Sequence, residues 1–253
     1  IKFKSFSESI FNKITAAYPQ NKVTKKFLNE LKINKIKDLG NLKLVENTYD
    51  KQDYINNKLN IQFKKYKTWI AASTHTNEEV FCAKAHIELK KKNKNLITIL
   101  IPRHVHRVQD IISQIQKLNL KVVTHSSKMK TLKNVDIYIV DTFGDSQKFF
   151  KISNTVLMGK FLITKGSQNP LEAVRYGAKI LHGPNFDNFT DIFKLLKSLK
   201  ISKRITSIRQ LITEITFKKD MRRGLKIKKI GVLILKKTLK ELEIYINNEP
   251  KKT

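Results

Sequence analysis

The chain has 253 residues and carries 51 Lys and Arg against 21 Asp and Glu, a formal net charge of +30. Hydrophobic residues make up 40%, with 14 Phe and 7 Tyr, which excludes a globally disordered chain. No apolar run approaches the ~20 residues of a bilayer-crossing helix, and one cysteine, Cys82, excludes a disulfide framework and fits a reducing compartment. The first 50 residues offer a helix around Thr24 to Leu31, two short apolar pieces and the turn Asp38-Leu39-Gly40-Asn41, too little to complete a domain. Residues 51–66 are polar and rich in Lys and Asn, which reads as a linker. From 67 onward, β-rich runs alternate with amphipathic segments. Strands are expected at Thr68 to Ala72, Leu96 to Ile101, Lys121 to Thr124, Val135 to Val140, Thr155 to Met158 and Lys179 to Leu181. Helices are expected at Glu78 to Lys90, opened by a capping box of Thr76 with Glu79, along Val105 to Leu118, at Pro170 to Tyr176 and along Phe189 to Leu199. Continuous apolar strands between helices mean a parallel sheet covered on both faces. The reading is an α/β fold with one complete doubly wound, Rossmann-like domain over 67–225. An amphipathic helix and tail follow over 226–253.

In such a sheet, ligands bind beyond the carboxyl ends of the strands, where the strand order reverses. The loops at those ends are Ser73-Thr74-His75-Thr76, Pro102-Arg103-His104, Asp141-Thr142-Phe143-Gly144-Asp145, Lys165-Gly166-Ser167-Gln168-Asn169 and His182-Gly183-Pro184. Two of these loops open helices whose first-turn amides suit an anion. Asn169-Pro170-Leu171-Glu172 has two readings. Asn as N-cap, Pro in the first turn and Glu at the third position make a good helix start, closed by Gly177. The same residues place Glu172 at the mouth of the sheet, ready to accept hydrogen bonds from ligand hydroxyls, with Gly166 letting backbone approach a phosphate. Arg103 directly follows a buried strand and faces the crevice. His75 reads either as an exposed loop residue or as a ligand contact. His104 and His106 lack a carboxylate or Cys at ligand spacing, so no metal is expected. Cys82, one turn inside a helix, packs as a small hydrophobe.

The charge itself identifies no activity. Only seven of the basic residues are Arg and 44 are Lys, whereas specific nucleic-acid recognition leans on the planar fork of Arg. Lys spread evenly among many Ile and Asn reads as a compositional bias over an ordinary fold. A general attraction to an anionic membrane surface still follows, at about 1 kcal/mol per nearby basic residue.

Taken in order, these segments resemble a known family. Trp69-Ile70-Ala71-Ala72-Ser73-Thr74-His75 with Glu78-Glu79, Pro102-Arg103-His104, Asp141-Thr142-Phe143-Gly144 and Gln168-Asn169-Pro170-Leu171-Glu172 resemble the 3-deoxy-D-manno-octulosonic acid (Kdo) transferases. Gly40-Asn41-Leu42-Lys43 upstream and Gly183-Pro184 through Asn188-Phe189 downstream extend the match over nearly the whole chain. The resemblance implies a two-domain GT-B glycosyltransferase that takes Kdo from CMP-Kdo and attaches it to a lipid A precursor at the cytoplasmic face of the bacterial inner membrane. It implies no cofactor, no bound metal and no specific nucleic acid. Donor binding is carried onto Lys43, Ser73, His75, Arg103, Gly144, Asn169 and Glu172. Arg103 and Lys43 would face the phosphate and the sugar acid, Glu172 the ribose, and the Gly144 loop the cytosine. Residues 1–50 would then be a remnant of the acceptor domain.

Family members are longer, so the resemblance places the first part of the acceptor domain, with its membrane anchor and the general-base Glu, outside this chain. No residue here takes the base's role, and the chain alone is expected not to turn over. Gly159-Lys160 stands where a Gly pair is usual, Ser167-Gln168 replaces a usual Gly-His, and Asp145 replaces a usual Glu. The alternative readings are a non-catalytic relic or a basic protein that binds nucleic acid or membranes.

Overall fold

The computed structural model describes residues 4–45, 55–128, 131–160, 162, 168–185 and 189–247. The chain divides into two compact units, one of residues 50–225 and one in which 226–253 join 1–49. The smaller unit begins with α1 (Lys4–Phe11) and α2 (Lys22–Glu30). Asn21 caps α2, its side-chain oxygen accepting from the Thr24 amide at 2.7 Å, a contact that starts the helix two residues earlier than hydrophobic spacing suggests. Ala17 and Ile36 form a single parallel bridge. Ala17, Leu31 and Ile33 are buried there, with Phe11, Ile14, Leu28 and Ile36 packed around them.

The larger unit runs α3 (Asn57–Phe63), β1 (Lys67–Thr74), α4 (Glu78–Lys92), β2 (Leu96–Pro102), α5 (Val108–Gln116), β3 (Val122–Thr124), β4 (Ile137–Ile139), α6 (Ser146–Phe150), β5 (Thr155–Met158), α7 (Leu171–Arg175), β6 (Lys179–His182), α8 (Thr190–Ser198), β7 (Ser202–Arg204) and α9 (Ile208–Glu214). All seven strands are parallel, in the order β3-β4-β2-β1-β5-β6-β7. The chain builds outward from β1 on one side through β4, then returns to lay β5 on the other side of β1. The order therefore reverses between β1 and β5, and the crevice beyond their carboxyl ends is the natural ligand position. All seven residues of β2 are buried, as are Thr68 to Ala72 of β1. Each fully buried Leu or Ile in these strands contributes about 1.5–3 kcal/mol.

Three differences from the sequence reading have local causes. Residues 57–63, expected within a linker, form α3, because the Asn56 side chain accepts from the Lys58 amide at 3.0 Å and Phe63 is buried. Its ring stands edge-on to Tyr138 at 5.1 Å and to Phe149 at 6.2 Å. The capping box expected at α4 is absent: Asn77, in a left-handed conformation at φ 71°, holds the cap position without a side-chain hydrogen bond. Glu79 turns instead to Thr74 and Arg107. Strand β7 and helices α1, α6 and α9, each of eight residues or fewer, were not among the expected elements. Ser207 caps α9 through the Gln210 amide at 3.2 Å, and Leu211 buries it.

The last helix, α10 (Arg222–Asn247), carries the amphipathic C-terminal segment. Within the smaller unit, a Cβ at Gly231 would lie 2.4 Å from the Leu44 carbonyl oxygen, so the helix packs directly on that backbone. Further along, Glu241 accepts from Lys37 at 2.7 Å, pairs with Lys35 at 3.3 Å and receives the Tyr18 hydroxyl at 3.3 Å.

Candidate functional site

Strand β1 ends irregularly. Its register with β2 runs without a break from Lys67 to Ala72 and then shifts, leaving Ser73 bulged out and pairing Thr74 with Pro102. Ser73 sits at φ 55°, a left-handed conformation that a side chain adopts only under local constraint. The constraint is Gly159 at the end of β5. Its amide donates to the Ala72 carbonyl at 2.7 Å, and a Cβ there would stand 1.9 Å from the Ser73 carbonyl oxygen. Only glycine lets the two backbones meet at the switch point. Lys160 follows at φ 65°, so it holds the left-handed conformation that a glycine would favour while adding a cation.

Two buried carboxylates brace this junction. Glu78 accepts from the His75 amide at 2.9 Å and from the Lys160 and Leu162 amides at 3.0 Å each. One side chain thereby ties the loop after β1 to the loop after β5. Glu79 accepts the Thr74 hydroxyl at 2.9 Å and a two-pronged guanidinium contact from Arg107 at 3.1 and 3.2 Å. Both carboxylates stand in the first turn of α4, where the helix dipole favours negative charge. The N-terminus of α4 thus carries two anions of its own.

His75 is half-buried, and its Nε2 is enclosed without a hydrogen-bond partner among the described residues. Burial, followed by the charges of Lys160, His104, Arg107 and Arg103, pushes its pKa down to about 4. The imidazole is therefore neutral at pH 7, with one ring nitrogen facing a cationic neighbourhood. Its ring lies 5.8 Å from that of His104, which is 5.6 Å from that of His106. Arg103 is fixed through its backbone, the amide donating to the Thr74 carbonyl at 3.0 Å, and its side chain is exposed. Ser73, His75 and Arg103 thus come together at the ends of β1 and β2, with Lys160 arriving from β5.

Gly144 lies in the loop after β4, at φ 83° with open space where a side chain would be. The loop is organised by its acids. Asp141 holds the Ser126 amide at 2.8 Å, and Asp145 pairs with Lys148 at 2.7 Å. Burial alone would raise the Asp145 carboxyl, but hydrogen bonds from Lys148 and Thr142 hold it below its ordinary value. Phe143, beside Gly144, is 85% exposed. Asn169 and Glu172 stand at the start of α7, after β5. The Asn169 oxygen accepts the Leu171 amide at 3.1 Å, and Pro170 holds the cap position of α7. Asn169 is exposed and Glu172 half-buried. Lys43 belongs to the smaller unit, exposed on a 3-10 turn at Leu42–Leu44 that begins with the Asn41 oxygen on the Lys43 amide at 3.0 Å. Lys165, Gly166, Ser167 and Asn188 lie outside the described residues.

Sequence reading missed the bracing roles of Glu78, Glu79 and Arg107. Adjacent acids opening a helix just after a strand-end loop were a usable signal for the first two. Arg107 meets Glu79 from 28 positions away, and no local pattern marks such a pair.

No family model matches the chain. Curated relatives do. A 3-deoxy-D-manno-octulosonic acid transferase of Rickettsia felis is 28% identical over 228 residues, 90% of this chain and 49% of the relative. One from Haemophilus influenzae is 27% identical over 198 residues, 77% of this chain and 46% of the relative. The chain thus spans about half the length of the curated relatives it matches. Among solved structures, the C-terminal CMP-Kdo binding domain of WaaA from Acinetobacter baumannii superposes with a TM-score of 0.56 at 19% identity, covering 70% of this chain and 91% of that one. A glycosyltransferase from Rickettsia africae gives 0.51 at 14% identity, covering 98% of this chain and 68% of the other. These likenesses show the fold: an α/β architecture of the GT-B type.

Proposed function

We propose that this chain, which belongs to the 3-deoxy-D-manno-octulosonic acid transferase family, binds CMP-Kdo at the carboxyl edge of its parallel sheet and serves transfer of the sugar to a lipid A precursor. The observation that carries the reading is the junction of β1, β2 and β5. A bulged Ser73, a neutral His75 and the cations Arg103 and Lys160 converge there at the strand-order switch. CMP-Kdo carries a phosphate and a carboxylate, and a guanidinium binds either group through two parallel hydrogen bonds. Arg103 is assigned to the phosphate, where it also stabilises the charge that grows on CMP as the sugar–oxygen bond breaks. His75, uncharged, offers Nε2 as a hydrogen-bonding group and does not compete for the anion. Glu172 takes the ribose hydroxyls, Asn169 orients that segment, and the open backbone at Gly144 receives the cytosine. The acceptor side and the cytoplasmic face of an anionic inner membrane complete the reading, and the +30 charge is suited to such a surface.

Calorimetric titration with CMP tests the site. Arg103→Ala and Glu172→Ala are each expected to weaken binding by about tenfold or more, the loss of one charge-assisted contact. Both side chains reach solvent, so both variants are expected to fold. Unchanged affinity in both removes the assignment.

A further inference from the structure

At the strand-order switch, Lys160 holds a backbone conformation that its own side chain opposes. It stands one residue past Gly159 at φ 65°, in the left-handed region that a Cβ disfavours. Glycine would be relaxed there, so the backbone gives no reason for a lysine. Strain of this kind persists where the surroundings hold it and the strained residue is used. The surroundings hold it on both sides. The Gly159 amide donates to the Ala72 carbonyl at 2.7 Å, and the Lys160 amide donates to Glu78 Oε2 at 3.0 Å. The same oxygen takes the His75 amide at 2.9 Å. One carboxylate oxygen therefore fixes the Lys160 and His75 backbones against each other.

What the side chain does follows from its neighbours. Lys160 is half-buried, and neither it nor Arg103 has an ion pair among the described residues. Glu78, the carboxylate that fixes its backbone, is already taken up by three amides. Among the charges that keep the His75 imidazole from taking a proton, that of Lys160 is the strongest, ahead of His104, Arg107 and Arg103. Its ammonium thus acts on the same space as Arg103, reaching it from β5 while Arg103 reaches it from β2. These strands flank β1, so two strand spacings, about 10 Å, separate the two backbones. One small anion satisfies one of these cations. A donor that carries a phosphate and a carboxylate on one sugar carbon presents an anion to each.

We propose that Lys160 selects an acid sugar at this site: its ammonium binds the sugar carboxylate, and Arg103 keeps the phosphate. The inference rests on the donor reading above and adds a specificity-determining residue to it. The guanidinium fork suits a phosphate, which offers several oxygens for paired hydrogen bonds. An ammonium is a compact point charge, which suits a carboxylate whose direction the sugar ring already sets. His75, between the two and uncharged, leaves each anion to its own cation.

Calorimetric titration of the whole chain with CMP and with CMP-Kdo, at about 0.15 M salt, tests the assignment, since only the second ligand carries the carboxylate. The wild type is expected to bind CMP-Kdo about tenfold or more tightly than CMP. Lys160→Gly keeps the amide that Glu78 holds and relieves the left-handed strain, so its melting temperature is expected to hold or rise. It is expected to abolish the preference for CMP-Kdo while leaving CMP affinity within about twofold. Lys160→Arg, which keeps the charge, is expected to retain the preference, and Arg103→Ala to weaken both ligands together. A preference that survives Lys160→Gly overturns the proposal. So does an equal loss of both ligands in that variant, which would put Lys160 on the phosphate. Unchanged CMP affinity in Arg103→Ala and Glu172→Ala would overturn the donor reading and this inference with it. Loss there, with the CMP-Kdo preference intact in Lys160→Gly, overturns this inference alone.

Discussion

At Gly159 two backbones come closer than any side chain permits, and the site depends on that contact. Gly159→Ala would put a Cβ 1.9 Å from the Ser73 carbonyl oxygen, forcing β1 and β5 apart at their ends. A loss of about 1–3 kcal/mol of stability is expected in thermal or urea melts. The effect should reach CMP affinity too, because Ser73 and the His75 loop move with the strand. Lys160, one residue on, gives the opposite expectation. Its left-handed conformation costs a side chain about 1 kcal/mol, so Lys160→Gly should hold or raise stability. The same change removes a charge that depresses His75. In an NMR titration the wild-type His75 midpoint is expected near 4, and Lys160→Gly should move it upward, still below the ordinary 6.5 because burial is the larger cause. Since the folded pKa lies below the unfolded one, this group destabilises the native state as pH falls from about 6.5 toward 4, when the unfolded chain takes a proton that the folded imidazole refuses. A midpoint at 6.5 in the wild type would remove the buried, neutral histidine from the site.

Among the elements, α4 anchors the larger unit at both ends. Its first turn carries Glu78 and Glu79, which brace the site, and its later turns hold the opposite end of the sheet through Asp136. That carboxylate accepts from Lys90 and from the Lys121 amide at 2.8 Å and lies 3.4 Å from His86 Nε2, while His86 Nδ1 meets the Thr98 hydroxyl at 2.9 Å. One acid thus links α4 to the starts of β3 and β4, and His86 extends the link to β2. Burial would raise its pKa, but hydrogen bonds from His86, Lys90 and the Lys121 backbone hold it well below the carboxylate range. Its contribution is therefore fully present above about pH 4 and is lost as pH falls toward the depressed value. Asp136→Ala should cost about 3 kcal/mol in urea melts at pH 7 and flatten the acid limb of the stability profile. The strands around it were legible as apolar runs: β2 and β5 fall within a residue of their expected ends because hydrophobic continuity is a local signal. Residues 57–63 were not, since the burial of Phe63 against Tyr138 and Phe149 is a contact between distant segments. Glu79 was assigned to the wrong partner because Thr76 is near in sequence while Thr74 and Arg107 are near in space.

For the whole molecule, 44 lysines and a net charge of +30 bear on where the chain goes more than on what it recognises. If an anionic membrane is its working surface, vesicles containing phosphatidylglycerol should retain it at low salt. Retention should fall steeply toward about 0.5 M salt, as screening shortens the reach of each lysine. Neutral vesicles should not retain it; equal retention by neutral vesicles would remove the electrostatic account. None of the helices among the described residues is long and apolar enough to cross a membrane. Helix α10 combines lysines with Leu, Ile and Val. Ile227 and Ile234 on its apolar side are buried, and Leu239 and Ile246 stay exposed.

By itself the sequence determined the class of fold and the edge of the sheet to read. Alternation of apolar runs with helical periodicity is local, and strand ends carrying Ser73-Thr74-His75, Arg103 and Gly144 stand out along the chain. What only the tertiary structure decided are the interactions that need distant residues to meet. These are Gly159 against Ser73, Glu78 across three loop amides, and Arg107 on Glu79. Periodicity reports which face of an element is buried. It says nothing of what lies on the other side of that face, and for a buried polar group the partner decides its protonation, its strain and its use.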